Sequence, residues 1–459
     1  MPSHQSSTLE IAPHWRLRLI AISLATALAF AGTAAKARTP AHPAHPAPRD
    51  IPSETEAPRV SGTVTLQRAI SLAIEHSPEL QALAWDANGS LARIRQARLW
   101  PNPELEYERE NFGGNGKFDG SDLAESTLSL AQTLPLGGGI KQRRKIAELD
   151  SQLADWDYHA ARLETIAEVT RRFIAALAAD RSLDLAKQEL ELAEATEELT
   201  QNRVDAGDAS PVELSRVVVP VITTELALKR TERLREAAYR RLSLSWGERV
   251  VTFTEIAGDL DAVSPAPSPE ALIQHLGENP DVARWAIEIS ARIAERRLAK
   301  AEAIPNITGR FGLKRDNESG DEAIVVGISL PLPLFNRGQA QIQSARAGEA
   351  SARSRQKAAE LRLERLLSES YSELANAYDE AVAIRDRALP AAEKAYQGTQ
   401  LAFKEGKLPF LDVLDAQRTL FELQESYLQA LQAYHIGAAN IESLIGRSLA
   451  DLQKQSPSK

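Results

Sequence analysis

The chain has 459 residues, and none of them is cysteine. Disulfide frameworks, thiolate metal sites and thiol catalysis are therefore excluded. A thioether-linked lipid has no acceptor either, so the protein is not expected to be a lipoprotein. The single methionine is Met1, which removes thioether ligation of copper or zinc. Basic residues do not dominate: 54 Lys and Arg stand against 63 Asp and Glu, for a net charge of -9. No basic patch with interleaved aromatics stands out, so nucleic acid is not an expected partner. Histidines are few. Beyond residue 37 they are His42, His45, His76, His159, His275 and His435, scattered over different segments. They form neither a catalytic set nor a metal cage, and no enzyme activity, metal site or cofactor is expected. Beyond residue 37 no run approaches the roughly 18–20 apolar residues that a membrane-spanning helix needs.

The most informative absence is local. Between Gly139 and Gly207 the chain has no glycine and no proline. Gly338 and Gly406 enclose an interval of the same length, and the offset between these two pairs recurs between Gly247 and Gly446. The chain reads as an internal duplication, each copy carrying a very long helix. At a rise of 1.5 Å per residue, a helix filling that interval is roughly 100 Å long, too long for one globular domain.

The first 37 residues read as a secretory signal. Arg16 and Arg18 precede an apolar stretch from Leu19 to Gly32, followed by Ala35-Lys36-Ala37 as an A-x-A cleavage site. Residues 38–62, rich in Pro, Ala and His, read as an extended linker. The first copy spans 63–262. It opens with a helix over Thr65–Leu99 that Pro78 interrupts and Trp100-Pro101-Asn102-Pro103 stops. Period-two alternation predicts strands over about 104–112 and 127–134. The long helix follows, with a seam of Ile146, Leu149, Leu153, Trp156, Ala160 and Leu163. A helix from Pro211 to Trp246 is expected to kink at Pro220.

The second copy, 263–449, repeats this order, with strands over about 306–315 and 323–330. Its long helix has a seam of Leu363, Leu367, Ser370, Leu374, Ala377, Ala381 and Ile384. It is expected to bend near Pro390, where the first copy has Glu191. Residues 450–459 read as a tail. In each copy the two shorter helices together match the long one, so stacked end to end they can pair with it along its length. Four strands per chain cannot close a barrel alone, and unpaired edges are not tolerated in lipid. Two chains would supply eight strands and three would supply twelve.

Several stretches resemble the TolC-type outer-membrane factors, the exit ducts of efflux pumps and type I secretion systems. The most specific are Phe403-Lys404-Glu405-Gly406 and Phe410-Leu411-Asp412-Val413-Leu414-Asp415-Ala416-Gln417-Arg418-Thr419-Leu420. Leu332-Pro333-Leu334-Phe335-Asn336-Arg337-Gly338 and Pro101-Asn102-Pro103 are also typical. The resemblance covers Val64 to about Gly446 and is closest to the branch serving heavy-metal cation pumps. It implies a mainly α fold with a membrane β part: two structural repeats, a long coiled-coil α-barrel, and a 12-stranded β-barrel built by a homotrimer. It further implies an outer-membrane location extending into the periplasm. The partners it implies are outer-membrane lipid, a periplasmic adaptor (membrane fusion protein) and an inner-membrane transporter of the resistance-nodulation-division type. Drug or type I secretion substrates are the alternative cargo. A periplasmic coiled-coil scaffold without a membrane part is the alternative of another class, but it would not need two Gly-rich hairpins with apolar stripes.

Two sets of carboxylates are candidate site residues. The family's periplasmic gate includes an acidic pair just after the Gly-containing turn, a pattern that Asp412 and Asp415 occupy. Asp in a first helical turn also complements the helix dipole, which is the plainer reading. The family's archetype has a Tyr three before the glycine and an Arg two after it; here they are Phe403 and Leu408, so those latch bonds are not expected. The second set is Glu104, Glu106, Glu108 and Glu110. Four carboxylates on one face of a membrane strand cannot face lipid and would line the lumen. A solvated strand end near the headgroups is the alternative.

Overall fold

A computed structural model of the chain describes residues 59–455. All lie in the larger of the two units into which the chain divides, 49–459. The signal read at 1–37 and nearly all of the linker read at 38–62 lie outside the described residues.

The first copy begins with a short strand, β1 (Gly62–Thr65), and two helices, α1 (Leu66–His76) and α2 (Pro78–Ala97). The expected single helix is two because Ser77 ends one and caps the next: its hydroxyl accepts from Leu80 N at 3.4 Å. Pro78 sits at the first helical position, where no N–H is needed. Strands β2 (Glu104–Glu110) and β3 (Glu125–Leu134) follow. Then comes α3 (Gly139–Asp205), an unbroken helix of 67 residues. Helix α4 (Pro211–Ser243) continues through Pro220 without interruption.

Next come β4 (Phe253–Ala257) and the second copy: α5 (Pro269–Ile273), α6 (Pro280–Glu302), β5 (Ile307–Asp316), β6 (Glu322–Ser329) and α7 (Gln339–Ala383). A π-helical segment, Ile384–Ala388, joins α7 to α8 (Leu389–Lys404). Pro390 has no N–H to give the preceding turn, so the widened turn falls just before it. Helix α3 has no such proline and no such segment. The last helices are α9 (Phe410–Ile445) and α10 (Leu449–Gln455). The latter takes up residues 450–455 of the stretch read as a tail.

The duplication holds with one adjustment. The glycine that turns the chain into each long helix is left-handed, at Gly138 (φ 75°) and Gly338 (φ 70°), not Gly139. The spacing between copies is therefore one position longer at the helix starts than farther along. There the left-handed glycines Gly207 and Gly406, and again Gly247 and Gly446, keep the offset read from the sequence. End-to-end pairing of short helices with long ones is realised: α3 packs against α2 and α4, and α7 against α6 and α9. Helix α9 also packs on α3, joining the two copies.

Strands β2-β3-β5-β6 form one antiparallel sheet in that order. A second, unexpected pairing is parallel, between β1 and β4. It closes over the largest core cluster, where Val64, Phe173, Tyr239, Leu242, Trp246 and Phe253 are buried. Glu248 is buried there as well and accepts the Trp246 indole N–H at 2.8 Å and the Thr252 hydroxyl. The Thr252 hydroxyl oxygen also lies 2.7 Å from Val60 O, so residues 60–65 are held to the fold and the linker ends before them. Of the predicted second seam, Leu363, Leu367, Leu374 and Ala377 form a core of their own with Ile441 and Ile445, while Ala381 joins the larger cluster.

Candidate functional site

The four-stranded sheet has two chemically opposite faces. On one, Leu105, Leu130, Phe311 and Val326 lie in register across all four strands, and Tyr107, Leu128, Leu313 and Ile324 form the next row. All eight are exposed. A contiguous exposed apolar patch of this kind marks a surface meant for lipid or a partner. The alternation that builds it comes directly from the sequence, since successive side chains leave a strand on opposite sides.

The other face carries Glu104, Glu106, Glu108 and Glu110, all four on β2 as the alternation predicted. They are not left alone there. Arg310 on β5 reaches across β3 to Glu106 at 2.7 Å, and Lys314 pairs with Glu125 at 2.6 Å. Glu106 is partly covered and Ser129 beneath it is buried. Register places Glu110, Glu125 and Asp316 in one row. The face thus holds six carboxylates against two cations. Arg310 and Lys314 were legible as members of the alternating β5 face. Which strand they would lie beside was not.

The second candidate site is the turn between α8 and α9. Gly406 is left-handed, and Asp412 and Asp415 lie in the opening turns of α9, both exposed. The structure brings them to one side of the helix, with Arg418 beside them. Arg418 donates to Asp415 at 2.8 Å and approaches Glu422 at 3.7 Å. This cation dilutes the acidic pair, and its i,i+3 spacing from Asp415 was readable in the sequence. Phe403 has no hydroxyl with which to make a latch bond. It is buried against Phe410, 5.8 Å between ring centroids, in a small core with Val217 and Val413. The Arg203 guanidinium lies 4.6 Å from the Phe403 ring centre, so the end of α3 is tied to the end of α8. Leu408 is half-buried.

Between this turn and the core lies a stretch of α3 against α9 with further carboxylates. Glu189 is half-buried there, and burial, followed by repulsion from Glu425, pushes its carboxyl above the usual range. Higher up, Tyr427 donates to Asp261 at 3.0 Å. Burial and that carboxylate raise its hydroxyl to about 12. Among the described residues no group of His, Asp and Glu is arranged to hold a metal ion, and no helix is long and apolar enough to cross a membrane.

Comparison with known proteins agrees with this geometry. The chain is 30% identical over 387 residues to the cobalt-zinc-cadmium resistance protein CzcC of Cupriavidus metallidurans, covering 84% of this chain and 91% of that protein. It is 26% identical over 302 residues to the nickel-cobalt-cadmium resistance protein NccC of Alcaligenes xylosoxydans xylosoxydans, covering 65% of this chain and 66% of that one. Its fold matches the crystal structure of the outer membrane protein VceC of Vibrio cholerae. The TM-score is 0.70 at 18% identity, over 84% of this chain and 96% of that one. The family described as outer membrane efflux protein matches residues 69–248 and 271–447. Those two stretches cover most of the chain, which therefore belongs to the outer membrane efflux protein family of transport ducts, not enzymes.

Proposed function

We propose that the protein is the trimeric outer-membrane exit duct of a tripartite efflux system that exports heavy-metal cations. The observation that carries the metal assignment is the likeness to the cobalt-zinc-cadmium resistance protein along nearly its whole length. The two-faced sheet supports the membrane part. Its edge strands β2 and β6 each lack a second neighbour among the described residues, and edges exposed to lipid must be closed. Three chains contribute twelve strands, with the apolar rows toward lipid and Glu104, Glu106, Glu108 and Glu110 toward the lumen. The helices continue the duct into the periplasm. Asp412 and Asp415 ring its mouth, with Arg418 moderating their charge. A periplasmic adaptor and an inner-membrane resistance-nodulation-division transporter complete the system. Metal selection belongs to those partners, because the duct holds no thiolate or thioether ligands.

The test is growth of the parent cell with the coding sequence deleted, in graded cobalt, zinc and cadmium salts, with re-expression as control. Sensitisation to these cations, reversed by re-expression, is expected. Unchanged metal tolerance together with sensitisation to organic drugs rejects the metal assignment but not the duct. A detergent-solubilised mass corresponding to one or two chains rejects the trimer.

A further inference from the structure

The sheet passes into helices at four places, all at one end of its strands: before β2, after β3, before β5 and after β6. These junctions are joined to one another. Gln132 Nε2 donates to Pro101 O at 3.0 Å, which ties the first to the second. Gly137 lies so close to α6 that a side chain there would collide with Ala301 O, which ties the second to the third. A Cβ at Gly338 would meet the Ala303 Cβ at 3.1 Å, which ties the third to the fourth. Together they form a collar around the helical side of the sheet.

The collar has two chemical parts. One is apolar: Trp100, Leu136, Ile304, Leu332, Leu334 and Phe335 are all exposed, and they adjoin the apolar rows of the sheet. The other is basic. Residues 87–100, 135–147, 294–306 and 331–348, which hold the four junctions, contain twelve Lys and Arg, two Glu and no Asp, in a chain whose net charge is -9. The cationic excess is therefore a property of this band and not of the composition. Both Glu are already paired, Glu295 with Arg292 and Glu302 with Arg143. Arg95, Lys141, Lys145, Arg297, Lys300 and Arg337 are exposed and make no ion pair among the described residues. Each lies within roughly 10 Å of the helix end that meets the sheet, at 1.5 Å per residue. Lys141 and Lys145 are four apart, and Arg297 and Lys300 three apart, so each pair shares one face of its helix. Like charges at those spacings repel, and an anion between them offsets the repulsion.

We propose that this collar binds anionic phospholipids of the membrane leaflet that faces the helices. Trp100, Leu332, Leu334 and Phe335 lie among the upper parts of the acyl chains, where an aromatic belt is favoured. The Lys and Arg side chains lay their stems along that apolar surface and bring their charged ends to the headgroup phosphates. A soluble acidic protein is the poorer fit, because one band carries both the cations and the apolar side chains, and a lipid offers a phosphate and an acyl chain together. The inference rests on the reading of the apolar sheet face as the lipid face.

The test reconstitutes the protein in phosphatidylcholine vesicles with a minor share of dibrominated phosphatidylglycerol or dibrominated phosphatidylcholine. Quenching of Trp100 is read as the difference between the parent protein and Trp100→Phe. At about 0.05 M salt, where exposed charges are weakly screened, the anionic lipid should associate about fivefold more strongly than the neutral one, the effect of one well-placed cation. Raising the salt to about 1 M should abolish most of that preference. Lys141→Gln with Lys145→Gln, and Arg297→Gln with Lys300→Gln, should each reduce it about twofold, and all four changes together should bring it near unity. Lys141→Arg with Lys145→Arg should retain it. Equal quenching by the two lipids, or a preference unchanged in the fourfold variant, overturns the proposal and leaves the lipid-face reading standing. Quenching by neither lipid places Trp100 outside the bilayer boundary and overturns both. Loss of the oligomer's mass in the fourfold variant would make the collar a seam between copies, and that too overturns the proposal.

Discussion

Replacing Val326 by Asp places a carboxylate in the middle of the apolar sheet face. Val326 pairs with Phe311, and Leu130 and Leu105 continue the row. Its side chain is 71% exposed, so the substitution displaces no neighbour within the chain and its cost is set by what covers that face. A cation at the midplane of a barrel exterior costs about 2–4 kcal/mol and a carboxylate less, so about 2 kcal/mol per chain is expected. Repeated in three chains this is about 6 kcal/mol, on the order of 10⁴ in the assembly equilibrium. The matched control is Gly327→Asp, one residue along and on the opposite face. A Cβ at Gly327 would lie 3.7 Å from the Arg310 Cβ, an ordinary contact, and its carboxylate would gain a guanidinium in the same row. The assay is assembly into lipid vesicles from urea, read as detergent-resistant oligomer, with outer-membrane fractionation in cells. Val326→Asp should assemble poorly and Gly327→Asp nearly as well as the parent protein. Equal yields, or a worse yield for Gly327→Asp, would refute the assignment of lipid and lumen faces.

In single-channel recordings at low ionic strength, the paired change Asp412→Ala with Asp415→Ala should abolish block by a trivalent cation complex while trimer assembly persists. Unchanged block would place the gate elsewhere. Arg418→Gln should sharpen that block, because Arg418 lies 2.8 Å from Asp415. Phe403→Ala should destabilise the helix tip by about 3–5 kcal/mol, as expected for a buried ring, whereas Arg203→Ala removes the cation contact and a 3.4 Å hydrogen bond to Asp208 O and should cost about 1 kcal/mol. Hydrogen exchange at the α3–α4 and α8–α9 turns distinguishes the two, and equal protection in both variants would contradict the packing. Burial pushes the Glu442 carboxyl above its usual range while it accepts from Leu449 N at 2.8 Å. A carboxyl raised in the folded state contributes stability that is complete below its unfolded pKa and lost as pH rises through the folded one. Glu442→Gln keeps an acceptor and removes that titration. Its thermal midpoint should therefore gain on the parent protein as pH rises from acid to neutral, and a gap independent of pH would refute the burial effect.

Much of this architecture follows from features only a few residues wide. The long helices are written in the absence of glycine and proline between Gly139 and Gly207 and in seams that repeat every three and four residues. The sheet faces are written in strict alternation along β2, β5 and β6. Even the interruption before Pro390 was legible, because one missing N–H acts on its own turn. Such signals are local: each depends on the residue itself and its near neighbours, so no knowledge of the fold is needed to read them.

What required the tertiary structure depends on segments far apart in the chain. The parallel pair β1–β4 joins the two ends of the first copy, through strands too short for periodicity to reveal. Arg310 meets Glu106 only because β3 and β5 are neighbours. Phe403 looks like an exposed gate position until Val217 and Phe410 close over it. Gln417 and Gln424 read as ordinary polar residues of a helix until tertiary packing buries their amide oxygens without partners. Periodicity assigns a side chain to a face, but only the packing of distant segments decides what that face meets, and therefore whether a charge is paired or a polar atom is left unsatisfied.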